Sequence, residues 1–542
     1  MIPAACPPSG LRGDCALSRW SWLGVGLISL IWGVGMTWRL DQPIVENYVG
    51  RQIPTAMVAR NLLEGRPGWF LDPQLDTGPF PNRLLVEPPG VAWAAACLAS
   101  WLDPIDPSSR LEQAGRLVSI GGGLLALVGF ALLSRPRLTP ETGLAGWLAA
   151  VAALACAPVL IRYGRAFQND AAALGLLLVG LALWDQPCRA RRGCGVFIGS
   201  LAVALKALVA PVWLVGLAWI ARQRRDGNTA WRVAATMSLI PMALWYGYVA
   251  KLLAEEPAGA GGSDAFSGWW SSVGPWAWLD PALAATLVRY ATFRWMSPVG
   301  SALAWWGWGW WLARRRSFQV GNATRAGLDF FLAWGVVGGA TLMLTGAKAH
   351  HEYYGLLLSP PLAAGVGWAV GRAGRGHSSG FQTAWRIGCL IALGCSGVVT
   401  AISTFHTPDS WGRLRVAGQE LAAVVPPAAW VSAEEALLFA ADRRGFRLEW
   451  TTAAIRRAVA EWSDVSRGMA VETPEELAEF HRRNGARFVA VLLGPGQESM
   501  ERLRFAAWLR RNGNGVVRVD RAGVVLVVEW STLAPPPISP RS

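Results

Sequence analysis

The chain has five histidines in 542 residues, and two are adjacent in "TGAKAHHEYYGLLLSPPL", residues 345–362. Lys348, His350, His351, Glu352, Tyr353 and Tyr354 crowd ionisable groups into this one stretch between apolar runs. A lysine can neutralise phosphate, and an imidazole can exchange protons, donate hydrogen bonds or ligate a metal. Neighbouring residues of a helix do not share a face, so two adjacent helical histidines would not hold one metal together. A polar interfacial turn with a tyrosine belt is the other reading of the same residues.

Three further stretches carry comparable chemistry. The segment 39–88 begins "RLDQPIVENYVGRQIPTAMVARNLL" and holds Asp41, Glu46, Arg51, Gln52, Asp72 and Glu87. Its residues 44–64 read as an amphipathic helix lying along a membrane interface, and its length exceeds what a simple connection needs. "RYGRAFQNDAAALG" places Arg162 and Arg165 before Asp170, which can also cap the next helix against its dipole. Lys206 stands alone in "AVALKALVAP". A lysine in an apolar run is costly and marks a site unless it snorkels to the interface. Arginine, lysine, histidine, tyrosine and carboxylates gathered beside a bilayer suit a phosphorylated lipid. The cations neutralise phosphate, a carboxylate accepts the proton of an attacking hydroxyl, and apolar helices hold the tail.

The elements that must position these groups are apolar helices. The composition is 53% hydrophobic and 16% charged, with 32 tryptophans, and the mean hydropathy is +0.30. This composition points to an α-helical polytopic membrane protein. Apolar segments fall at 20–38, 89–102, 116–134, 143–161, 170–184, 193–205, 207–221, 232–250, 289–312, 327–345, 355–371 and 386–404. The net charge of +14 resides in short arginine clusters between them, which reads as basic cytoplasmic loops rather than nucleic-acid binding. Even numbers of crossings between these clusters predict about 11 spans, with the N-terminus cytoplasmic. Segment 89–102 is short for a crossing and is expected to be re-entrant or interfacial. Residues 193–221 read as two short helices with Lys206 near their outer turn. The pair 327–345 and 355–371 forms a hairpin with the histidine–tyrosine stretch at its outer tip. All the polar clusters then share the outer face.

After residue 404 the character changes. "AAWVSA", "ARFVAVLLG", "VVRVD" and "GVVLVVEW" read as strands, and "TPEELAEFHRRNG" as a helix capped by Thr473 with Pro474 at its first position. Residues 405–542 are thus a small extracytoplasmic α/β domain following a transmembrane domain, 1–404. The first apolar run lacks a convincing A-x-A cleavage site and reads as a retained span. The eight cysteines include no C-x-x-C pair, so neither a disulfide framework nor a structural zinc site is expected.

Over about residues 20–405 the order and spacing of these segments resemble the GT-C superfamily of membrane glycosyltransferases. The branch it looks most like contains the protein O-mannosyltransferases and the aminoarabinose–lipid A transferases. "VEPPGVAW" follows the outer loop where relatives often carry K-P-P or E-F-P. "RYGRAFQNDAAALGLLLVGLALW" is similar to their R-x-x-x-x-D-A-L segment, and "AKAHHEYYGLLLSPPLA" to an H-x-Y-Y-x-L-P-L-x-P-P segment.

The resemblance implies a polyprenyl-phosphate sugar donor and a lipid, glycan or protein acceptor. Transfer would occur with inversion at the outer face of the bacterial cytoplasmic (inner) membrane. It also implies that an acid of the first outer loop acts as base. Relatives show Asp-Glu there and this chain shows "LDQPIVEN", which divides the role between Asp41 and Glu46. "GRQIPTA" is similar to a W-R-Q-x-x-T-A pattern, without the tryptophan, and brings in Arg51 and Gln52. By position, Glu87 would meet sugar hydroxyls or a metal, and Arg165 and Asp170 would complete the pocket. Charge alone assigns Lys206, Lys348 and His350 or His351 to the lipid phosphate, with Glu352 and Tyr353 beside them. Some relatives bind a divalent metal near the catalytic acid, and no ligand set is assigned here. A lipid-linked-sugar transporter or flippase is the alternative, but inverted repeats and mid-membrane polar groups are not evident.

Overall fold

The computed structural model describes residues 12–46, 49–66, 73–75, 87–225, 228–255, 274, 276, 279–315, 322–346, 349, 351–373, 378–407, 411–460, 462, 470–493, 500–512, 518–519 and 525–530. Among them, four helices are long and apolar enough to cross a membrane: 107–155, 228–252, 327–344 and 379–405. Shorter apolar helices run 20–36, 90–102, 169–184 and 207–223.

The first helix, α1 (Arg12–Met36), leads into the polar turn that carries Asp41. α2 (Val49–Leu63) and α3 (Gly90–Leu102) follow. At 1.5 Å per residue α3 is about 20 Å long, short of a hydrocarbon core of about 30 Å. Its small-residue face, Val91, Ala92, Ala95 and Ala99, shares a core with Ile53, Ala56 and Met57 of α2. α4 (Pro107–Ala155) is nominally 49 residues, but the chain reverses inside it. Gly143 has φ 69° and ψ 178°, a conformation open essentially to glycine alone. Beyond it, the Trp147 indole donates to the Ala131 carbonyl at 3.1 Å and contacts Ser134 Oγ at 3.2 Å. A straight helix would hold residues 131 and 147 about 24 Å apart. The segments expected at 116–134 and 143–161 therefore form a hairpin.

Two expectations need correction. Residues 44–64 were expected along a membrane interface, yet α2 is buried throughout 52–61. The helix Glu435–Ala441 and its C-terminal turn cover it. Arg60 donates to the Phe439 carbonyl at 2.6 Å and pairs with Asp442 at 3.0 Å. Amphipathic spacing identifies the apolar face but not what covers the polar one. Likewise 289–312 is not one helix. A helix Pro281–Tyr290, a π turn Ala291–Trp295 and a helix Pro298–Arg315 divide it. Pro298 removes an N–H and disfavours helical geometry at Ser297.

The remaining site elements are α5 (Pro158–Tyr163), α6 (Asn169–Trp184), α7 (Arg189–Leu205) and α8 (Ala210–Gln223). Lys206 lies in extended backbone, φ −148° and ψ 96°, directly after α7, so residues 193–221 do divide at that lysine.

The C-terminal region forms a five-stranded sheet in the order β2-β1-β3-β5-β4. β1 (Val431–Ala433) runs parallel to β2 (Gly445–Arg447) and β3 (Phe488–Leu492), with Val431 opposite both Gly445 and Phe488. β5 (Val525–Glu529) pairs antiparallel with β3 and with β4 (Arg518–Val519). Thr473 and Glu476 form a capping box on the helix Pro474–Arg483. The segment between α2 and α3 joins the edge of this sheet. Leu75 bridges to Gly445, whose N–H donates to the Gln74 carbonyl at 3.2 Å.

His481 is buried in this domain, stacked on Phe446 at 5.2 Å between ring centroids and hydrogen-bonded through Nδ1 to Ser432 Oγ at 2.8 Å. Burial, helped by Arg447, pushes its pKa from 6.5 down to about 3. The folded state therefore binds its proton less readily than the unfolded state. The stability this gives is complete above pH 6.5 and is lost as pH falls towards about 3, at about 1.4 kcal/mol per unit. Thermal melts of the full chain at stepped pH, followed by tryptophan fluorescence, should show this slope. His481→Asn should remove it.

Candidate functional site

Most of the described polar residues singled out in the sequence occupy three places, and Asp41 lies apart from them. The first is a buried knot. Arg116 Nη2 donates to both carboxylate oxygens of Glu46, at 2.7 and 2.9 Å, and the Glu46 and Arg116 side chains are 2% and 0% exposed. The same guanidinium donates to the carbonyls of Leu40, Gln42 and Pro43 at 2.6–3.0 Å. Arg165 approaches Glu46 at 3.9 Å and donates to the carbonyls of Met36, Trp38 and Arg39, satisfying the C-terminal end of α1. Gln52 donates to the Glu46 carbonyl at 2.5 Å and accepts from the Phe167 N–H at 2.9 Å. Glu46, Gln52 and Arg165 thus form a tether between the first loop, α4 and the turn before α6. Both Glu46 oxygens are held by the buried Arg116.

The second place is centred on Lys206. Its ammonium lies 3.0 Å from both Glu87 and Asp170. It sits over the Tyr353 and Tyr354 rings at 5.0 and 5.7 Å, a cation–π arrangement. Asn169 donates to the Pro88 carbonyl at 3.0 Å, fixing the loop just after Glu87. Burial pushes the Glu87 carboxyl up, but the Lys206 and Arg51 charges outweigh it and hold the group below its ordinary range. Arg51, Thr55, Glu87, Gln168, Asn169 and Asp170 line a small cleft here.

The third place is a pocket of about 390 Å³ lined by Arg162, Arg289, Phe293, Arg294, Thr400 and Ser403. Glu352 of the histidine–tyrosine stretch contacts two of these arginines. It accepts from the Tyr163 hydroxyl at 2.8 Å, contacts Arg162 at 3.3 Å and lies 3.6 Å from Arg294. The three arginines and one glutamate leave a formal charge of +2. His351 stacks on Tyr353, rings 5.3 Å apart and 9° from parallel. Lys348 and His350 lie outside the described residues.

Asp41 is exposed in the turn after α1. That turn is fastened beside the arginine pocket. Gln42 donates to the Thr404 carbonyl at 2.9 Å, Arg39 to the Phe405 carbonyl at 3.2 Å, and Trp38 stacks on Phe405. Residues 404 and 405 directly follow the Thr400 and Ser403 wall.

Arg116, Arg289, Arg294 and Tyr163 were not among the residues picked from the sequence. A lone arginine within an apolar segment is costly, and Arg116 and Arg294 both carried that signal. No group of three or more histidine, cysteine, aspartate or glutamate side chains among the described residues is placed to hold a metal. Glu87 and Asp170, the closest acids, already share the Lys206 ammonium, so their donor set does not fit a divalent ion.

The fold is similar to that of solved structures of ArnT and of an archaeal oligosaccharyltransferase. The chain is similar to the crystal structure of ArnT from Cupriavidus metallidurans in the apo state, at 15% identity and a TM-score of 0.57, over 95% of this chain and 98% of that one. ArnT bound to undecaprenyl phosphate aligns at 15% identity and a TM-score of 0.53, over 96% and 99%. The Archaeoglobus fulgidus oligosaccharyltransferase, in complex with Zn and sulfate, aligns at 13% identity and a TM-score of 0.53, over 89% of this chain and 69% of that one. No family model and no curated protein matches the sequence.

Removing one member of a buried ion pair costs about 3–5 kcal/mol because the other charge is stranded. Glu46→Gln and Arg116→Met should each lower the thermal midpoint in detergent. The double variant should lose less than the sum of the two.

Proposed function

We propose that the chain is a glycosyltransferase that moves a sugar from a polyprenyl-phosphate donor to an envelope acceptor at the outer membrane face. The observation that carries this is the pocket formed by Arg162, Arg289 and Arg294, with its formal charge of +2, set among apolar helices. The likeness to an enzyme solved with undecaprenyl phosphate supports it. The donor phosphodiester carries one negative charge. When the bond between the anomeric carbon and the phosphate oxygen breaks, the departing polyprenyl phosphate gains a second. A pocket of charge +2 is therefore matched to the leaving group better than to the bound donor, which lowers the barrier rather than merely tightening binding. Glu352, held by the Tyr163 hydroxyl, keeps Arg162 and Arg294 aimed into the pocket.

Asp41 is the base in this reading. Its turn lies at the pocket rim and its carboxylate is exposed, whereas Glu46 is consumed by Arg116. The acceptor hydroxyl attacks the anomeric carbon as its proton passes to Asp41, and attack opposite the leaving phosphate inverts the centre. Lys206, Glu87 and Asp170 form the wall between the loop and the histidine–tyrosine stretch. His351 supports Tyr353, over which Lys206 sits. The multi-pass chain would lie in the bacterial inner membrane with its C-terminal domain extracytoplasmic.

Arg294→Gln should lower kcat/KM with an undecaprenyl-phosphate sugar by about 10- to 100-fold, the loss of a charge-assisted contact. Asp41→Asn should abolish transfer while leaving undecaprenyl phosphate binding and the thermal midpoint unchanged. Full activity in both variants would reject the assignment.

A further inference from the structure

Among the described residues lining the Lys206 cleft, Gln168 is the one polar side chain with no hydrogen-bond partner. It lies immediately before α6 in extended backbone and makes no side-chain cap to the helix. The residue is 3% exposed, and neither its Nε2 nor its Oε1 has a hydrogen-bond partner. Its neighbours in the cleft are engaged. Glu87 and Asp170 hold Lys206, Asn169 holds the Pro88 carbonyl, and Thr55 donates to the Arg51 carbonyl at 2.7 Å. Buried amides are almost always paired, because leaving water without a new partner is unfavourable. An amide that donates and accepts from one plane calls for a partner that does both. The cleft has about 20 Å³ of room, enough for one water-sized group. A hydroxyl meets both conditions.

We infer that Gln168 reads one hydroxyl group of the donor sugar. The inference rests on the glycosyltransferase reading above. The sugar is covalently joined to the phosphate assigned to the arginine pocket. Lys206 connects the two places, touching Asp170 on one side and the Tyr353 ring, next to Glu352, on the other. Gln168 is thus a specificity residue, and the sugar hydroxyl completes the hydrogen bonds that the protein leaves open.

The test uses the full chain in nanodiscs. Binding of undecaprenyl-phosphate hexose, N-acetylhexosamine and pentose is compared with that of bare undecaprenyl phosphate, for wild type, Gln168→Leu and Gln168→Met. The wild type should favour one sugar-bearing lipid. Both variants should weaken that lipid about tenfold or more, the loss of one buried hydrogen bond, and leave the bare lipid unchanged. Because the amide is unpaired in the free protein, the thermal midpoints of the variants should stay level or rise. An unchanged ratio between sugar-bearing and bare lipid overturns the inference. So does a lowered midpoint with that ratio unchanged, which would mean a structural water. A wild type that binds neither lipid would instead reject the glycosyltransferase reading itself.

Discussion

The buried contact between Glu46 and Arg116 organises this molecule. Two opposite charges with almost no solvent exposure are held by geometry and by their further hydrogen bonds. Arg116 spends its remaining donors on three carbonyls of the first loop, and Arg165 spends its own on three carbonyls at the end of α1. A loop that runs as backbone away from a helix end has orphan acceptors, and two guanidinium groups supply them. Buried pairs of this kind are weak arguments for stability but can fix one arrangement over its alternatives. Here the arrangement fixed is the path of residues 36–46, and with it the place of Asp41.

The site divides into parts that are satisfied internally and parts that are not. The knot around Glu46 is closed. The Lys206 triad comes near charge balance once Arg51 is included. The arginine pocket retains surplus positive charge, and Gln168 retains surplus hydrogen-bonding capacity. Protein scaffolds are built from groups that meet one another's needs, and unmet needs indicate where something else binds. The charge surplus and the amide surplus differ in kind, as the phosphate and the sugar of a lipid-linked donor do.

Much of this was legible before the structure. Apolar composition and long apolar runs pointed to the membrane class, and the lone lysine marked a helix junction. The pattern after residue 404 predicted four of the five strands and missed β2 (Gly445–Arg447). What escaped follows from what sequence patterns report. Arg116 and Arg294 went unpicked because they stand at the start of, or inside, segments read as apolar, 116–134 and 289–312. Glu46 was read as a candidate base and Arg165 as part of the substrate pocket; that they meet each other and Arg116 could not be read, because a charge beside a loop gives no hint that its partner stands 70 or 119 residues away. Gln168 sat beside Asp170 in a motif already quoted, but an amide acquires significance only when burial shows it to be unpaired. The burial of α2 was likewise invisible, since its cover comes from residues some 380 positions later.

That cover has a further consequence through Leu75 and Gln74, which extend the sheet beyond β2. An edge strand with open N–H and C=O groups invites pairing with other chains. Here a segment synthesised about 370 residues earlier closes it. The C-terminal sheet would therefore form against a segment the chain has already made. Cut free of that segment, residues 405–542 would present a bare edge and an unpaired Asp442. The two halves of the chain are better understood as one folding unit than as an enzyme with an appendage.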